Sequence, residues 1–397
     1  MELSKEQDEI VTKIVAGGGN FFIEGGSGTG KTVLLTNIVA RLDKEFNGEK
    51  RIAIVGKLNW LKNYKTIFRE YGFTKHTKNV HVYTWGQLLN SEENYDYILV
   101  DEAHKLPRYY TKQHPTVLKY FKEDTDKTSL QLLQERTNSL IVFYDRNQSV
   151  TPADIPSTDV IRYVEENNFN IEKLELQFRI DIHDKGKRYS ADDYIKGIKY
   201  ALQISEDGSF DRELFSNESK DSYFGFADSI EELFEYVSDM DNKIEGSQNR
   251  VLAGEARKWI SLKDKTKYDW VEGNNKWQWN DTHENWMNRK GSRDQIGSCH
   301  AVAGVDINCA GVVIGKDLTF QNGRVIASLE NHFQENGIPI RPKKNATEEE
   351  ISRFIEEVAE KIIHKYYVLL TRGIDRIRIF IEDEALRNHV YKTFGVE

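Results

Sequence analysis

The sequence predicts an α/β protein of two domains, each built around a parallel β-sheet. Its length of 397 residues suggests two or three domains. Short apolar, β-branched runs alternate with helical patterns in both halves of the chain, which is typical of parallel sheets covered by helices. A glycine-rich loop that ends in lysine and threonine lies between the first apolar run and the next helical pattern. We place the first domain at residues 1–155 and the second at residues 156–397.

The first domain opens with a helix predicted at residues 3–15. Its strands are predicted from apolar runs at residues 21–23, 51–55, 80–83, 97–100 and 140–144. Pro152 and Pro156 then indicate a linker, because proline interrupts helices and sheets alike.

The second domain repeats the alternation. Strands are predicted at residues 174–176, 250–253, 311–314, 366–370 and 377–381, and long helices at residues 192–203, 229–240 and 347–365. An acidic stretch, residues 206–241, holds twelve acidic and two basic residues. A small Trp-rich insert, residues 259–294, holds five of the seven tryptophans: Trp259, Trp270, Trp277, Trp279 and Trp286.

The glycine-rich loop matches the phosphate-binding pattern G-x-x-x-x-G-K-[ST] at every fixed position. Glycines let backbone N–H groups turn toward phosphate oxygens, and the following helix directs its N-terminus at the same place. The lysine supplies a charge to the β and γ phosphates, and the threonine hydroxyl can ligate Mg²⁺. The residues expected to hold a nucleoside triphosphate are Gly25, Gly26, Ser27, Gly28, Thr29, Gly30, Lys31 and Thr32.

Two further strands end in carboxylates. Asp101 and Glu102 follow the run at residues 97–100, and in a phosphate-binding ATPase the first acid holds Mg²⁺ while the second orients or deprotonates the attacking water. Asp145 and Gln148 follow the run at residues 140–144, where such groups can sense the γ phosphate. A strand followed by an ordinary polar turn is an equally good interpretation of this second block.

Taken in order, these blocks resemble the superfamily 1 DNA/RNA helicases, and most closely the schlafen group. The resemblance covers residues 3–383 and includes a glutamine near the N-terminus, the phosphate loop, Asp-Glu-Ala-His at 101–104, Asp-x-x-Gln at 145–148 and Leu-Leu-Thr-Arg-Gly at 369–373. It implies two RecA-like domains that bind ATP and Mg²⁺ and move along single-stranded DNA or RNA.

The resemblance also implies roles for single residues. Gln7 matches the glutamine that reads the adenine edge, and Arg179 and Arg372 match arginines that stabilise charge on the transferring phosphoryl group. For either arginine, the alternative to this role is a surface ion pair. The fifth motif of the family is matched by His300, expected to contact nucleic acid, and by Gly304 and Asp306, expected to contact the nucleotide, although Ala303 stands where glutamine is usual. That departure removes a side chain expected to bond phosphate or nucleic acid.

Four residues are placed by the resemblance on loops that contact the nucleic-acid strand: Asn59, Trp60, Thr84 and Trp85. For the two tryptophans, packing between domains is an equally good interpretation. The Trp-rich insert has the composition of a single-strand stacking platform. A small hairpin whose tryptophans fill its own core is the interpretation that we favour.

Composition favours a cytoplasmic protein without a membrane partner. No apolar run approaches the roughly 18 residues that cross a bilayer, and the first residues carry no signal-peptide pattern. Two cysteines are too few for a disulfide framework. The net charge of −9 arises in the acidic stretch, so it does not exclude a nucleic-acid partner.

These observations predict an ATP-dependent helicase or single-strand translocase. The alternative is a nucleic-acid-stimulated ATPase switch that gates a partner protein, with the acidic stretch 206–241 as a docking surface. A solvated helix face is the favoured interpretation of that stretch. A phosphate-loop kinase is disfavoured, because Arg372 and the block at residues 145–148 have no role in one.

Overall fold

The computed structural model describes residues 3–56, 64, 79–108, 127–182, 189–204, 210–215, 222–243, 246–283, 285–302, 305–333 and 346–396. The chain divides into two compact units, Met1–Phe178 and Arg179–Glu397.

The first unit is built on a six-stranded parallel sheet with the order β3-β2-β4-β5-β1-β6. Its strands are β1 (Phe21–Gly25), β2 (Ile52–Val55), β3 (Val80–Tyr83), β4 (Tyr95–Val100), β5 (Thr137–Tyr144) and β6 (Asn170–Leu174). Its described helices are α1 (Lys5–Gly17), α2 (Lys31–Glu45), α3 (Trp85–Ser91), α4 (Ser129–Gln134) and α5 (Ser157–Glu166).

The central strands of this sheet are apolar on both faces because helices cover both. Helices α1 and α2 pack on one face, and α3, α4 and α5 pack on the other. Strands buried on two sides read as continuous apolar runs, which is why the sequence predicted β1, β4 and β5. The strands are parallel, so their carboxyl ends meet at one edge of the sheet.

The first unit extends beyond the boundary predicted at residue 155. Strand β6 pairs in parallel with β1 and therefore belongs to the first sheet. It is an edge strand with exposed residues at most positions, so it lacks the apolar run that marks a central strand. The predicted strand at 174–176 overlaps it only at Leu174.

The second unit is built on a seven-stranded sheet with the order β7-β15-β12-β8-β11-β10-β9, parallel except for the β9–β10 pair. Its strands are β7 (Phe224–Phe226), β8 (Asn249–Ala253), β9 (Trp270–Glu272), β10 (Asn275–Trp279), β11 (Gln295–Gly297), β12 (Ile307–Ile314) and β15 (Gly373–Ile381). Strands β13 (Leu318–Gln321) and β14 (Arg324–Ala327) form a separate hairpin. Its described helices are α6 (Ala191–Ala201), α7 (Ile230–Lys243), α8 (Glu348–Leu370) and α9 (Glu384–Phe394).

The strand predicted at residues 366–370 is wrong, because these residues form the last turns of α8. That end of the helix is buried on all sides, and a short apolar run cannot be assigned to helix or strand by periodicity alone. Although α8 has 23 residues, no helix in the described part of the chain is long and apolar enough to cross a membrane.

The Trp-rich insert is a lateral extension of the second sheet. Strand β10 pairs in parallel with β11, and β9 closes the sheet edge as a hairpin with β10. The rings of Trp270 and Trp279 lie edge to face at 5.0 Å, and both are buried together with Trp259 and Trp286. These four tryptophans are therefore core residues, but they pack into the core of the second unit and not into a separate core of the insert.

Helix α7 carries most of the described acidic residues of the acidic stretch. Its buried stripe consists of Ile230, Leu233, Val237 and Met240, while Glu231, Glu235 and Asp239 are exposed. This arrangement supports a solvated acidic face.

We expect Trp270→Ala to lower the free energy of unfolding by about 3–5 kcal/mol, because it removes a fully buried indole. Tyr268→Ala is the matched control in the same hairpin, since Tyr268 is 48% exposed, and it should change stability by less than about 0.5 kcal/mol. Urea unfolding followed by tryptophan fluorescence measures both. Equal effects of the two substitutions would contradict the assignment of Trp270 to the core.

Candidate nucleotide site

The glycine-rich loop connects β1 to α2 and surrounds the Lys31 ammonium. Gly28 and Gly30 have φ values of 80° and 77°, in the left-handed region that glycine tolerates. Lys31 Nζ donates hydrogen bonds to the carbonyls of Gly25, at 2.7 Å, and Gly26, at 2.8 Å. The lysine is therefore buried within the loop that sequence predicts to hold phosphate.

Asp145 connects Lys31 to Gln148. Its Oδ2 atom lies 3.7 Å from Lys31 Nζ and accepts a hydrogen bond from Gln148 Nε2 at 2.7 Å. Strands β1 and β5 are adjacent, with Glu24 paired to Tyr144, so the residues that follow them meet at the sheet edge. The two blocks that sequence separates by more than a hundred residues thus share one carboxylate.

Thr32 and Asp101 place two oxygen ligands together. The Thr32 hydroxyl donates to Asp101 Oδ2 at 3.4 Å, and the Tyr64 hydroxyl donates to the same oxygen. Burial and the neighbouring charge of Glu102 raise the pKa of Asp101 to about 6. A bound cation would favour the ionised carboxylate instead.

These oxygens fit Mg²⁺, which prefers one or two protein ligands completed by phosphate and water. Within the described residues, no group of three or more His, Cys, Asp or Glu side chains could hold a metal ion by itself.

Glu102 is held in an uncommon backbone conformation beside a buried histidine. Its φ of 52° is left-handed, which for a residue other than glycine costs on the order of 1–3 kcal/mol and is found mostly at functional sites. His104 Nε2 lies 2.7 Å from Glu102 Oε2, and burial lowers the pKa of His104. His104 therefore lies directly beside the carboxylate that sequence assigns to the attacking water.

Neither Tyr64 nor His104 was predicted from the sequence as a residue of this site. His104 had a signal, since it lies two residues after the predicted general base in Asp-Glu-Ala-His. Tyr64 had none, because it contacts Asp101 across 37 residues of chain.

Gln7 lies against the loop and is buried. Its Nε2 atom donates to the Thr29 carbonyl at 3.2 Å, while its Oε1 atom accepts from the Ser4 amide at 3.1 Å as part of the N-terminal capping box of α1. This burial excludes the alternative of an ordinary exposed helix residue. Adenine recognition by Gln7 stays a prediction.

In the second unit, the structure brings two predicted residues together. Arg179 Nε lies 3.4 Å from Asp306 Oδ1. Arg372 is buried where α8 ends and β15 begins. Gly304 lies outside the described residues, and the roles of all four residues stay predictions.

His300 borders a buried polar network that sequence did not predict. Its Nε2 atom lies 3.6 Å from Glu255 Oε1. Glu255 accepts a hydrogen bond from Lys365 and lies 3.4 Å from His332, which also contacts Asp317 at 2.7 Å. Burial alone would raise the pKa of Glu255, but Lys365 and His332 hold that pKa well below its usual value.

Four other residues were predicted to contact the nucleic-acid strand, and only two of them lie in the described part of the chain. Asn59 and Trp60 lie outside the described residues. Thr84 caps α3, since its hydroxyl accepts from the Gln87 amide at 3.3 Å. Trp85 is buried in the core of the first unit, with its indole nitrogen 3.5 Å from the Ser129 carbonyl. This is packing inside one unit and gives no support to packing between domains.

The chain belongs to the family described as "Schlafen group 3, DNA/RNA helicase domain", whose model matches residues 19–383. Gln7 precedes the matched region. A relative, the uncharacterized protein YPL245W of Saccharomyces cerevisiae, is 22% identical over 398 residues, covering 94% of this chain and 84% of the yeast protein.

Solved helicase structures show weak overall similarity. Arterivirus nonstructural protein 10, a helicase in complex with DNA, has a TM-score of 0.41 and 12% identity over 98% of this chain, which spans 65% of that protein. Pif1 helicase from Candida albicans has a TM-score of 0.39 and 13% identity over 100% of this chain and 98% of Pif1. The predicted fold class, two parallel-sheet α/β domains of RecA-like type, is confirmed by the sheets and the family.

We expect Gly30→Ala to weaken ATP binding at least about tenfold. A Cβ atom at Gly30 would lie 2.7 Å from Gln7 Nε2, and the φ of 77° would be strained for alanine. Gly17→Ala is the control, since nothing lies within 4 Å of its Cβ position. Titration with a fluorescent ATP analogue measures both affinities. Unchanged affinity in Gly30→Ala would contradict the requirement for glycine at this position of the loop.

We expect Glu255→Ala to lower the free energy of unfolding by about 3–5 kcal/mol, because it leaves the Lys365 ammonium buried without its carboxylate. Glu349→Ala removes an exposed pair with Arg353 and should cost less than about 1 kcal/mol. Chemical unfolding measures the difference. A Glu255→Ala variant as stable as Glu349→Ala would contradict the network.

Proposed function

We propose that this chain is an ATP-hydrolysing motor that moves along single-stranded nucleic acid. The observation that supports it best is the convergence of Lys31, Asp101, Glu102 and Asp145 at one edge of the first sheet. Membership of a DNA/RNA helicase-domain family supports the choice of a nucleic-acid motor among the phosphate-loop enzymes.

The loop at residues 25–32 would hold the triphosphate of ATP through its backbone N–H groups and the Lys31 ammonium. Gln7, adjacent to Thr29, would read the adenine edge. Thr32 and Asp101 would hold Mg²⁺, which when bound neutralises the phosphate charge. Each of these residues carries the donor or acceptor that its role requires.

Glu102 would orient or deprotonate the water that attacks the γ phosphate. His104 would keep the carboxylate in position by its contact at 2.7 Å. Arg179 and Arg372 would stabilise the negative charge that develops on the transferring group, a contribution of roughly 10³ or more in rate for such arginines.

Asp145 and Gln148 would report the state of the phosphate. Both the γ phosphate and the Asp145 carboxylate attract Lys31, which lies 3.7 Å from Asp145 Oδ2. Binding of phosphate would weaken the pull on Asp145 and change its bond to Gln148. This competition would transmit hydrolysis to the rest of the chain and so to the bound strand.

The alternative is an ATPase switch that gates a partner protein without unwinding a duplex. The same enzyme chemistry serves both functions, so strand displacement distinguishes them. Stimulated hydrolysis without displacement would favour the switch. A cytoplasmic location stays a prediction under either function.

We expect Glu102→Gln to retain ATP binding and to lower kcat by about 10²–10⁴, because the amide cannot accept the proton of the attacking water. Glu135→Gln is the control, since Glu135 forms an exposed pair with Lys127. Steady-state hydrolysis with saturating ATP measures both.

The motor is tested by hydrolysis rates with single-stranded DNA, single-stranded RNA, duplex and no polymer. We expect at least one single strand to stimulate the wild-type chain. Unchanged turnover in Glu102→Gln would remove the catalytic assignment, and a lack of stimulation by every polymer would remove the motor.

A further inference from the structure

A basic surface lies at the β9 edge of the second sheet. We define the lysine surface as the exposed side chains of Lys258, Lys263, Lys265, Lys267, Tyr268, Val271 and Lys276. None of its lysines forms an ion pair with any residue that the structure describes. This is a concentration of positive charge in a chain with a net charge of −9.

Three carboxylates lie near this surface: Asp264 is exposed in the same loop and interacts with Lys267, whereas Asp269 and Glu272 bind backbone donors. Asp269 is buried and accepts from the amides of residues 260, 261 and 279 at 2.6–2.9 Å. Glu272 accepts from the amides of residues 230 and 231, at 3.1 and 3.2 Å, and so caps the start of α7. The lysines therefore face solvent, whereas Asp269 and Glu272 stabilise the fold through hydrogen bonds from backbone amides.

The loop that carries three of the lysines is fixed on the hairpin. Gln278 Nε2 donates to the carbonyls of Lys265 and Lys267, at 2.8 and 2.7 Å. Asp264 accepts from the Thr266 amide at 3.0 Å. An ordered loop loses less conformational entropy when a ligand binds, so its lysines are pre-organised.

An aromatic ring and an aliphatic side chain lie among these charges. Tyr268 is 48% exposed and Val271 is 61% exposed. Val271 pairs across the strands with Lys276, so both project from the same face of the hairpin. A solvent-exposed ring surrounded by lysines can stack on a base while the lysines pair with phosphates.

The lysine surface is connected by ring contacts to the predicted strand contact His300. The ring of His300 lies 6.2 Å from that of His283, which lies 5.3 Å from the ring of Trp259. Trp259 adjoins Lys258 in sequence. His300 follows the carboxyl end of β11, and the loop at residues 260–268 lies at the carboxyl end of its neighbour β10, on the same edge of the sheet.

We propose that the lysine surface binds single-stranded nucleic acid as a second contact, extending the strand that reaches His300. This inference rests on the proposed function and adds a surface to it. An unpaired strand is favoured over a duplex because the Tyr268 ring needs an unstacked base. Four tryptophans of the Trp-rich insert are buried, whereas Tyr268 is exposed and would take the stacking role.

The test is the triple substitution Lys263→Gln, Lys265→Gln and Lys267→Gln, measured by anisotropy with fluorescent single-stranded DNA and RNA across a salt series. We expect affinity to fall at least about tenfold. We also expect the slope of log affinity against log salt to become shallower by up to about 2, since each lost phosphate contact removes roughly 0.7. The side chains do not hold the loop, so the urea midpoint and unstimulated ATPase rate should match wild type.

The matched control is Lys173→Gln, Lys196→Gln and Lys392→Gln, three exposed lysines outside this surface that remove the same total charge. Tyr268→Ala should weaken binding about tenfold, whereas Tyr268→Phe should retain it, because the phenyl ring still stacks.

Equal affinity and equal salt slope in the two triple variants would overturn the lysine surface while leaving the motor intact. Loss of binding to anionic phospholipid vesicles, with nucleic-acid binding unchanged, would assign the surface to membranes and also overturn it. A wild-type chain that binds no polymer and shows no stimulation would overturn the motor and this inference together.

Discussion

The buried ammonium of Lys31 is the constraint on which the first unit depends. A buried charge needs acceptors, and Lys31 finds them in two loop carbonyls and in Asp145. Those acceptors come from the ends of β1 and β5, which are neighbours in the sheet. The strand order therefore determines which residues can compete with phosphate for this charge. Asp101, at the end of the adjacent β4, completes the same edge.

In the second unit, buried charges are paired and exposed charges lie in separate surface regions. Buried charges such as Glu255 and Lys365 are paired, because an isolated one would be costly in the interior. Exposed acids lie on one face of α7, and the lysines of the lysine surface lie at the β9 edge. Glu272 joins these two regions, since it extends from the hairpin to the amino end of α7. The net charge of the whole chain therefore does not indicate the charge of its individual surfaces.

Strands with a continuous apolar run could be predicted, whereas most of the short or exposed strands could not. Strands β1, β4, β5, β8 and β15 lie between covering layers and show continuous apolar runs. Strands β6, β7, β9 and β11 are short or partly exposed, so their sequences resemble loops. The first unit consequently continues to Phe178, beyond the boundary expected from the linker prolines. The buried end of α8 was predicted as a strand, because a short apolar run cannot be assigned to helix or strand by its periodicity.

The sequence by itself determined the phosphate loop, the acids that follow β4 and β5, and the family, because these depend on residue types at fixed local spacing. Only the tertiary structure decided that Asp145 joins Lys31 to Gln148, that Tyr64 and His104 lie against the two acids, and that four of the tryptophans are buried while the nearby lysines are exposed. Each of these contacts depends on which strands are neighbours or which face of a hairpin is covered. Neither property is encoded at short range, since both follow from packing residues that lie far apart in the chain.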